Sequence, residues 1–195
     1  HILPLALLVL IFLYHAARLH RALHSFPTRR SSDLLARAEA GVGTSPTGEN
    51  QKLGPTLALV IEDFERAGAD HGAIVFDPES ARDLVANMDH DAFAICVRNL
   101  IENGLKHGGD NGPVEITVIG SNTIQVANGG PAVSPEDFTE LKKRFKRSNS
   151  KAGGAGLGLA IVETIMRNTK GELTLYSPRP DKADGFMAEL RLHQS

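Results

Sequence analysis

Asn99, Asn103 and Lys106 stand at i, i+4 and i+7 in the segment Asp91 to His107, so on a helix they form one narrow stripe beside an apolar face. An asparagine side-chain oxygen is a hard neutral donor suited to Mg²⁺, which keeps most of its waters and takes few protein ligands together with phosphate oxygens. The lysine places a compact positive charge near such phosphates. Taken alone the stripe is a weak signal, because asparagines on a helix more often mark a solvated face.

A second feature is Gly153-Gly154-Ala155-Gly156-Leu157-Gly158-Leu159, a glycine-rich loop that runs straight into an amphipathic helix. Backbone without side chains can approach phosphates closely, and the free amides of a helix start attract anions. Glycines at 156 and 158 each cost the helix about 1 kcal/mol, which favours a functional reason over a plain linker. The spacing is not that of a P-loop, and no dinucleotide-type glycine motif follows a strand. The third feature is Asn128-Gly129-Gly130-Pro131-Ala132 at a strand end, where a polar side chain could read the amino group of adenine and a glycine lets the ring lie against backbone. As an isolated string it is equally a turn.

The elements that must position these residues follow from periodicity. Leu53 to Ala67 carries Leu57, Val60, Ile61 and Phe64 at helical spacing, and Ala73 to Phe76 reads as a short buried strand before the turn Asp77-Pro78. Asp91 to His107 is the strongest helix, with Phe93, Val97, Leu100 and Gly104 on one face. Pro113 to Ile119 and Thr123 to Ala127 predict a hairpin across Gly120-Ser121-Asn122. Asn128 to Ser134 is a loop, Pro135 to Phe145 a short helix, Lys146 to Ala155 a polar loop and Gly156 to Thr169 a second strong helix. Gly171 to Ser177 and Gly185 to Leu192 alternate as two further strands. The expected fold is an α/β (α+β) two-layer sandwich, a mixed sheet covered on one face by helices.

RNLIENGLKHG, VANGGPAV, Phe145 to Arg147 (FKR) and GGAGLGLAIV, in that order, resemble the N, G1, F and G2 boxes of the histidine kinase catalytic domain. Its superfamily is shared with DNA gyrase, a heat-shock chaperone family and the MutL ATPase. The resemblance runs from about Leu53 to Leu192 and implies a Bergerat-type fold that binds ATP and Mg²⁺ and transfers the γ-phosphoryl group to a histidine. It implies that Asn103 holds Mg²⁺ while Asn99 and Lys106 help at the phosphates. His107 would flank the nucleotide, Asn128 would bind adenine and Gly130 would line its pocket. Gly154, Gly156, Leu157 and Gly158 would form the phosphate lid, with Arg147, or Arg144, as a phosphate contact. The chain departs from the pattern at Asn128 (usually Asp), Ala132 (usually Gly) and Ala155 (often Thr), departures that bear on affinity.

Hydrolysing members of the superfamily carry a glutamate base at the first N-box position, which here is Asn99. Glu102 is about 60° away around the helix, where a solvated or structural role is expected. Phosphoryl transfer therefore fits better than hydrolysis; a non-catalytic or anti-sigma-type nucleotide-binding domain and an ATP-hydrolysing relative are the alternatives. None of the eight histidines stands in the acceptor motif of the family's dimerisation hairpin, so the polypeptide is expected to bind nucleotide without phosphorylating itself.

The chain of 195 residues has net charge −2, which leaves no basic field for nucleic acid, and its single Cys96 reads as a small buried hydrophobe. His1 in place of Met suggests a fragment or processed product. Residues 1–23 are apolar and then basic, a possible truncated membrane helix, although Ile2 to Leu13 is shorter than the roughly 20 residues a bilayer requires. His24 to Leu34 resembles the translation of a sequencing-library adapter and is set aside as a scar. Residues 35–50 read as the end of the family's dimerisation helix plus a linker, and 51–195 as the catalytic domain. The resemblance further implies a response regulator and the protein's own dimerisation domain as partners, in a cytoplasmic domain of a bacterial inner-membrane protein.

Overall fold

The computed structural model describes residues 40, 45–69, 72–108, 111–146, 157–180 and 182–195. The segments read as membrane-helix remnant, adapter scar and end of a dimerisation helix lie outside the described residues, as do Arg147, Gly154 and Gly156. The described elements run β1 (Gln51–Lys52), α1 (Gly54–Arg66), β2 (Ile74–Phe76), a 3-10 turn (Pro78–Ala81), β3 (Val85–Ala86) and α2 (His90–Gly108). They continue as β4 (Val114–Ile119), β5 (Thr123–Asn128), α3 (Pro135–Lys146), α4 (Leu157–Asn168), β6 (Glu172–Tyr176) and β7 (Phe186–Arg191).

Five strands form one sheet in the order β2-β4-β5-β7-β6, parallel only between β2 and β4. Strand alternation decides its two faces. Phe76, Ile116, Val126, Ala188 and Leu175 share one register row, and Val118, Ile124, Leu190 and Leu173 another; both rows belong to the core that the helices cover. Thr117, Gln125, Glu189 and Thr174 form a polar row on the opposite face. The expected mixed sheet with helices on one side is what the chain builds.

The centre of the helical layer is α2. Asp89 caps it, its Oδ1 accepting from Asp91 N at 2.8 Å, and Ala92, Phe93, Cys96, Val97, Leu100, Ile101 and Gly104 form its buried stripe. α1 begins with a proline in its first turn, which suits a position where amide donors have no helical partner. Arg98 of α2 ties the two helices, pairing with Asp63 at 3.1 Å and stacking 5.4 Å from the Phe64 ring centre. α4 packs its Leu159, Ile161, Val162 and Ile165 into the same core. Burial pushes the Cys96 thiol far above its ordinary pKa, so a thiol reagent is expected to label it only after denaturant is added. Rapid modification of the native chain, read by mass spectrometry, would contradict this packing.

Two features were not anticipated from sequence. β1 and β3 pair as a two-residue ribbon, Gln51 opposite Ala86 and Lys52 opposite Val85. Beside it the buried Asn87 side chain accepts from Gly48 N at 2.8 Å and from the Thr47 hydroxyl at 3.1 Å, and it donates to the Ser195 hydroxyl. The linker from Ser45 to Asn50 is thus docked against the C-terminus by the buried Asn87 amide and by Asn50, whose Oδ1 accepts from Ser195 N at 3.0 Å.

Candidate nucleotide-binding site

The C-terminal half of α2, the end of β5, the loop after it and the first turns of α3 enclose a cavity of about 420 Å³. Asn103 and His107 come from α2, Asn128 and Gly129 from the β5 end, and Pro131 and Val133 from the loop. Asp137, Glu140 and Leu141 of α3, with Leu159 and Phe186, complete the wall. A mostly apolar concavity with a few polar groups suits an aromatic ring carrying a charged tail.

Each polar group has a distinct setting. Asn128 is buried, and its Nδ2 donates to Gly129 O at 2.7 Å. That bond decides the amide orientation, because the alternative rotamer would face two oxygens, and it leaves Oδ1 as the acceptor for the cavity. Asn103 is half-buried, and its side chain makes no hydrogen bond to the described residues, so its amide oxygen is open to an incoming cation. That donor suits Mg²⁺, which would take one amide oxygen, waters and phosphate oxygens; no group of three carboxylate, His or Cys ligands is present among the described residues. His107 is exposed at the rim. Partial burial and then the neighbouring Lys106 hold its pKa below the usual histidine value, which favours the neutral imidazole.

The predicted stripe on α2 divides in two. Asn103 lines the cavity, whereas Asn99 turns its Nδ2 back to Ile95 O at 2.7 Å. A Cβ at Gly158 would stand 2.8 Å from Asn99 Oδ1, so this pair makes the close approach of α2 and α4. Lys106 is exposed, and Leu157 is half-buried at the start of α4. Gly130 turns the chain at φ +111 while Gly129 and Pro131 supply the wall surface around it. Glu102 is outside the wall, its carboxyl pKa raised by burial against the opposing pull of Arg98.

Phe186, Leu159, Val133 and the α3 residues were not singled out in the sequence. Phe186 is opposite Asn128 in the β5–β7 register, so only the strand pairing reveals that a residue 58 positions away borders the same cavity.

A family model described as histidine kinase-, DNA gyrase B- and HSP90-like ATPase matches residues 88–194, and the chain belongs to that family. It is 32% identical over 171 residues to the sensor protein BasS of Escherichia coli, covering 83% of this chain and 45% of that protein. Against the sensor histidine kinase CpxA of Escherichia coli the identity is 35% over 147 residues, covering 72% of this chain and 32% of CpxA. The chain therefore spans less than half the length of these curated relatives.

Among solved structures, the histidine kinase domain of the Escherichia coli osmosensor EnvZ is similar with TM-score 0.54 and 27% identity, covering 77% of this chain and 90% of that one. The Acinetobacter baumannii histidine kinase AdeS shares the fold with TM-score 0.59 at 18% identity, covering 85% and 76% respectively. Within the family, then, the matched region is the ATP-binding catalytic domain of the sensor histidine kinases. Among the described residues no helix is long and apolar enough to cross a membrane.

Proposed function

We propose that this domain binds Mg²⁺-ATP in the 420 Å³ cavity and donates its γ-phosphoryl group to a histidine of a dimerisation hairpin, from which a response regulator is phosphorylated. The observation that carries this reading is the convergence of Asn103, His107 and Asn128, from two separate elements, on one largely apolar cavity. Asn128 Oδ1 accepts from the adenine amino group, and Phe186, Leu159 and Val133 bury the ring. His107 flanks the nucleotide, and Gly130 shapes the turn beneath it. Asn103 would hold Mg²⁺ through its amide oxygen, and the chemistry such an ion would supply there is neutralisation of phosphate charge.

Lys106, Arg147 and the segment with Gly154, Gly156, Leu157 and Gly158 serve the phosphate end. Asn99 acts there indirectly, by setting how closely α2 and α4 approach. No carboxylate occupies the position of a hydrolytic base, which favours transfer to a protein group over hydrolysis. The domain is read as residues 51–195, the cytoplasmic part of a bacterial inner-membrane sensor.

The test is binding of a fluorescent ATP analogue to the chain, with and without Mg²⁺, beside Asn103→Ala. Wild type is expected to bind more tightly with Mg²⁺, and the variant to lose that increment, roughly tenfold, while keeping metal-free binding. Equal Mg²⁺ dependence in both proteins would remove Asn103 from the metal site. No binding by wild type would refute the reading as a whole.

A further inference from the structure

None of the described residues of the connection between β6 and β7 lines the cavity, yet two bonds tie it to the cavity's base-binding end and a third closes the connection on itself. The Ser177 hydroxyl accepts from Val133 N at 2.8 Å and donates to Gly185 O at 3.0 Å. Gly185 N in turn donates to Gly130 O at 2.7 Å. The next residue, Phe186, is itself part of the wall. Thus Gly130, Val133 and Phe186, which come from both sides of the base-binding end, are mutually positioned by Ser177 and Gly185.

What holds this connection is on the other side of the sheet. Arg179 makes a two-pronged pair with Glu115 of β4, at 3.1 and 2.7 Å, and the Arg179 side chain is only 14% exposed. Glu115, Ala127, Met187 and Tyr176 share one register row facing away from the helices. Ala127 and Met187 in that row are nevertheless buried, although they face away from the helices. A Cβ at Gly185 would meet Arg179 Cδ at 2.6 Å and Asn128 O at 2.7 Å, so the arginine stem, Gly185 and the end of β5 are in direct contact. The Arg179 guanidinium holds the Glu115 carboxyl below the usual carboxylate range, as a bidentate pair should.

We propose that Ser177, Arg179 and Glu115 are positioning residues for the base half of the nucleotide site: the ion pair clamps the β6–β7 connection across the outer face of the sheet, and Ser177 transmits that placement to the Gly130–Val133 turn and Phe186. The proposal rests on the nucleotide reading given above but concerns residues that touch no nucleotide. It assigns them to the adenine end and leaves the Mg²⁺ end to α2.

Two measurements separate it from a general effect on folding, using the full chain with Arg179→Met, Arg179→Lys and Ser177→Ala, each at a temperature where circular dichroism shows it folded. In the first, Mg²⁺-ATP and metal-free ADP are titrated. Arg179→Met and Ser177→Ala are expected to weaken both ligands by the same factor, roughly threefold to thirtyfold, with the Mg²⁺ increment intact. Arg179→Lys, which restores charge but not the fork, recovers part of the loss. In the second, amide exchange is followed without nucleotide, and the Val133 and Gly185 amides exchange faster in Arg179→Met and Ser177→Ala than in wild type. Unchanged affinity, a loss confined to the Mg²⁺-dependent part, or unchanged exchange at both amides overturns the proposal. If wild type binds no nucleotide while the exchange difference is present, the clamp stands and the nucleotide reading is what fails.

Discussion

Phe93→Ala is expected to cost about 3–5 kcal/mol of stability, measured as the shift of the urea midpoint at unchanged slope. Phe93 is fully buried in α2, among the largest side chains of the core, and it lies on the same stripe as Val97, Leu100 and Ile101. Truncation removes a whole ring from a layer in which α1, α2 and α4 meet the sheet, and rigid helices around it cannot close the void. A domain holding a total of about 5–15 kcal/mol would retain little margin after such a loss. Phe93→Leu, which keeps most of the volume, should cost well under half as much, so a comparable loss in both variants would mean that ring shape, not cavity formation, dominates. Because α2 also carries Asn103 and His107, saturating nucleotide should return part of the deficit. At a ligand concentration a hundredfold above Kd the gain is about 2.7 kcal/mol.

The helical layer was readable because α2 and α4 are long enough to repeat their apolar period several times. β4 and β5 were readable because a Gly-Ser-Asn turn separates two β-rich runs, and the structure closes them as an antiparallel hairpin. The β1–β3 ribbon could not be read: two residues per strand carry no period, and the pairing is flanked by bonds between distant segments, Leu53 N to Leu84 O, Val85 N to Ser121 O and Gly48 N to the Asn87 side chain.

The same division runs through the site. Asn103, His107 and Asn128 announce themselves by residue type and spacing, whereas Phe186 looks like any core hydrophobe until the register is known. Asn99 shows the converse. Its type and spacing match those of Asn103, but its amide is bound to Ile95 O and its oxygen is pressed against Gly158. Spacing places both asparagines on one stripe, and only the crossing of α4 over α2 tells which one faces the cavity. The Arg179–Glu115 clamp is equally hidden, because partners 64 positions apart leave no local pattern.

Gly129→Ala should be the most damaging small substitution at the site, lowering nucleotide affinity on the order of a hundredfold, as expected when binding groups are displaced by about 1 Å. A Cβ there would stand 2.1 Å from Asn111 O and 3.1 Å from Asn111 C, which is backbone and cannot rotate away. Either the turn after β5 or the chain after α2 must move. The second choice pulls on the helix end, where Asn111 N and Nδ2 both donate to Gly108 O, at 3.0 and 2.8 Å. The first displaces Gly130, Pro131 and Val133 from the cavity wall. Overpacking of this kind also costs about 1–3 kcal/mol of stability.

Gly112→Ala supplies the control, since Gly112 has φ +104 but nothing within 4 Å of an added Cβ. Its penalty is backbone strain alone, about 1 kcal/mol, without displacement of the wall. If Gly129→Ala lowers stability no more than Gly112→Ala and binds the ATP analogue like wild type, the contact between the β5 turn and Asn111 does not set the shape of the cavity. If it loses affinity while Gly112→Ala does not, steric contact with Asn111 is the reason glycine stands at the second position of that turn.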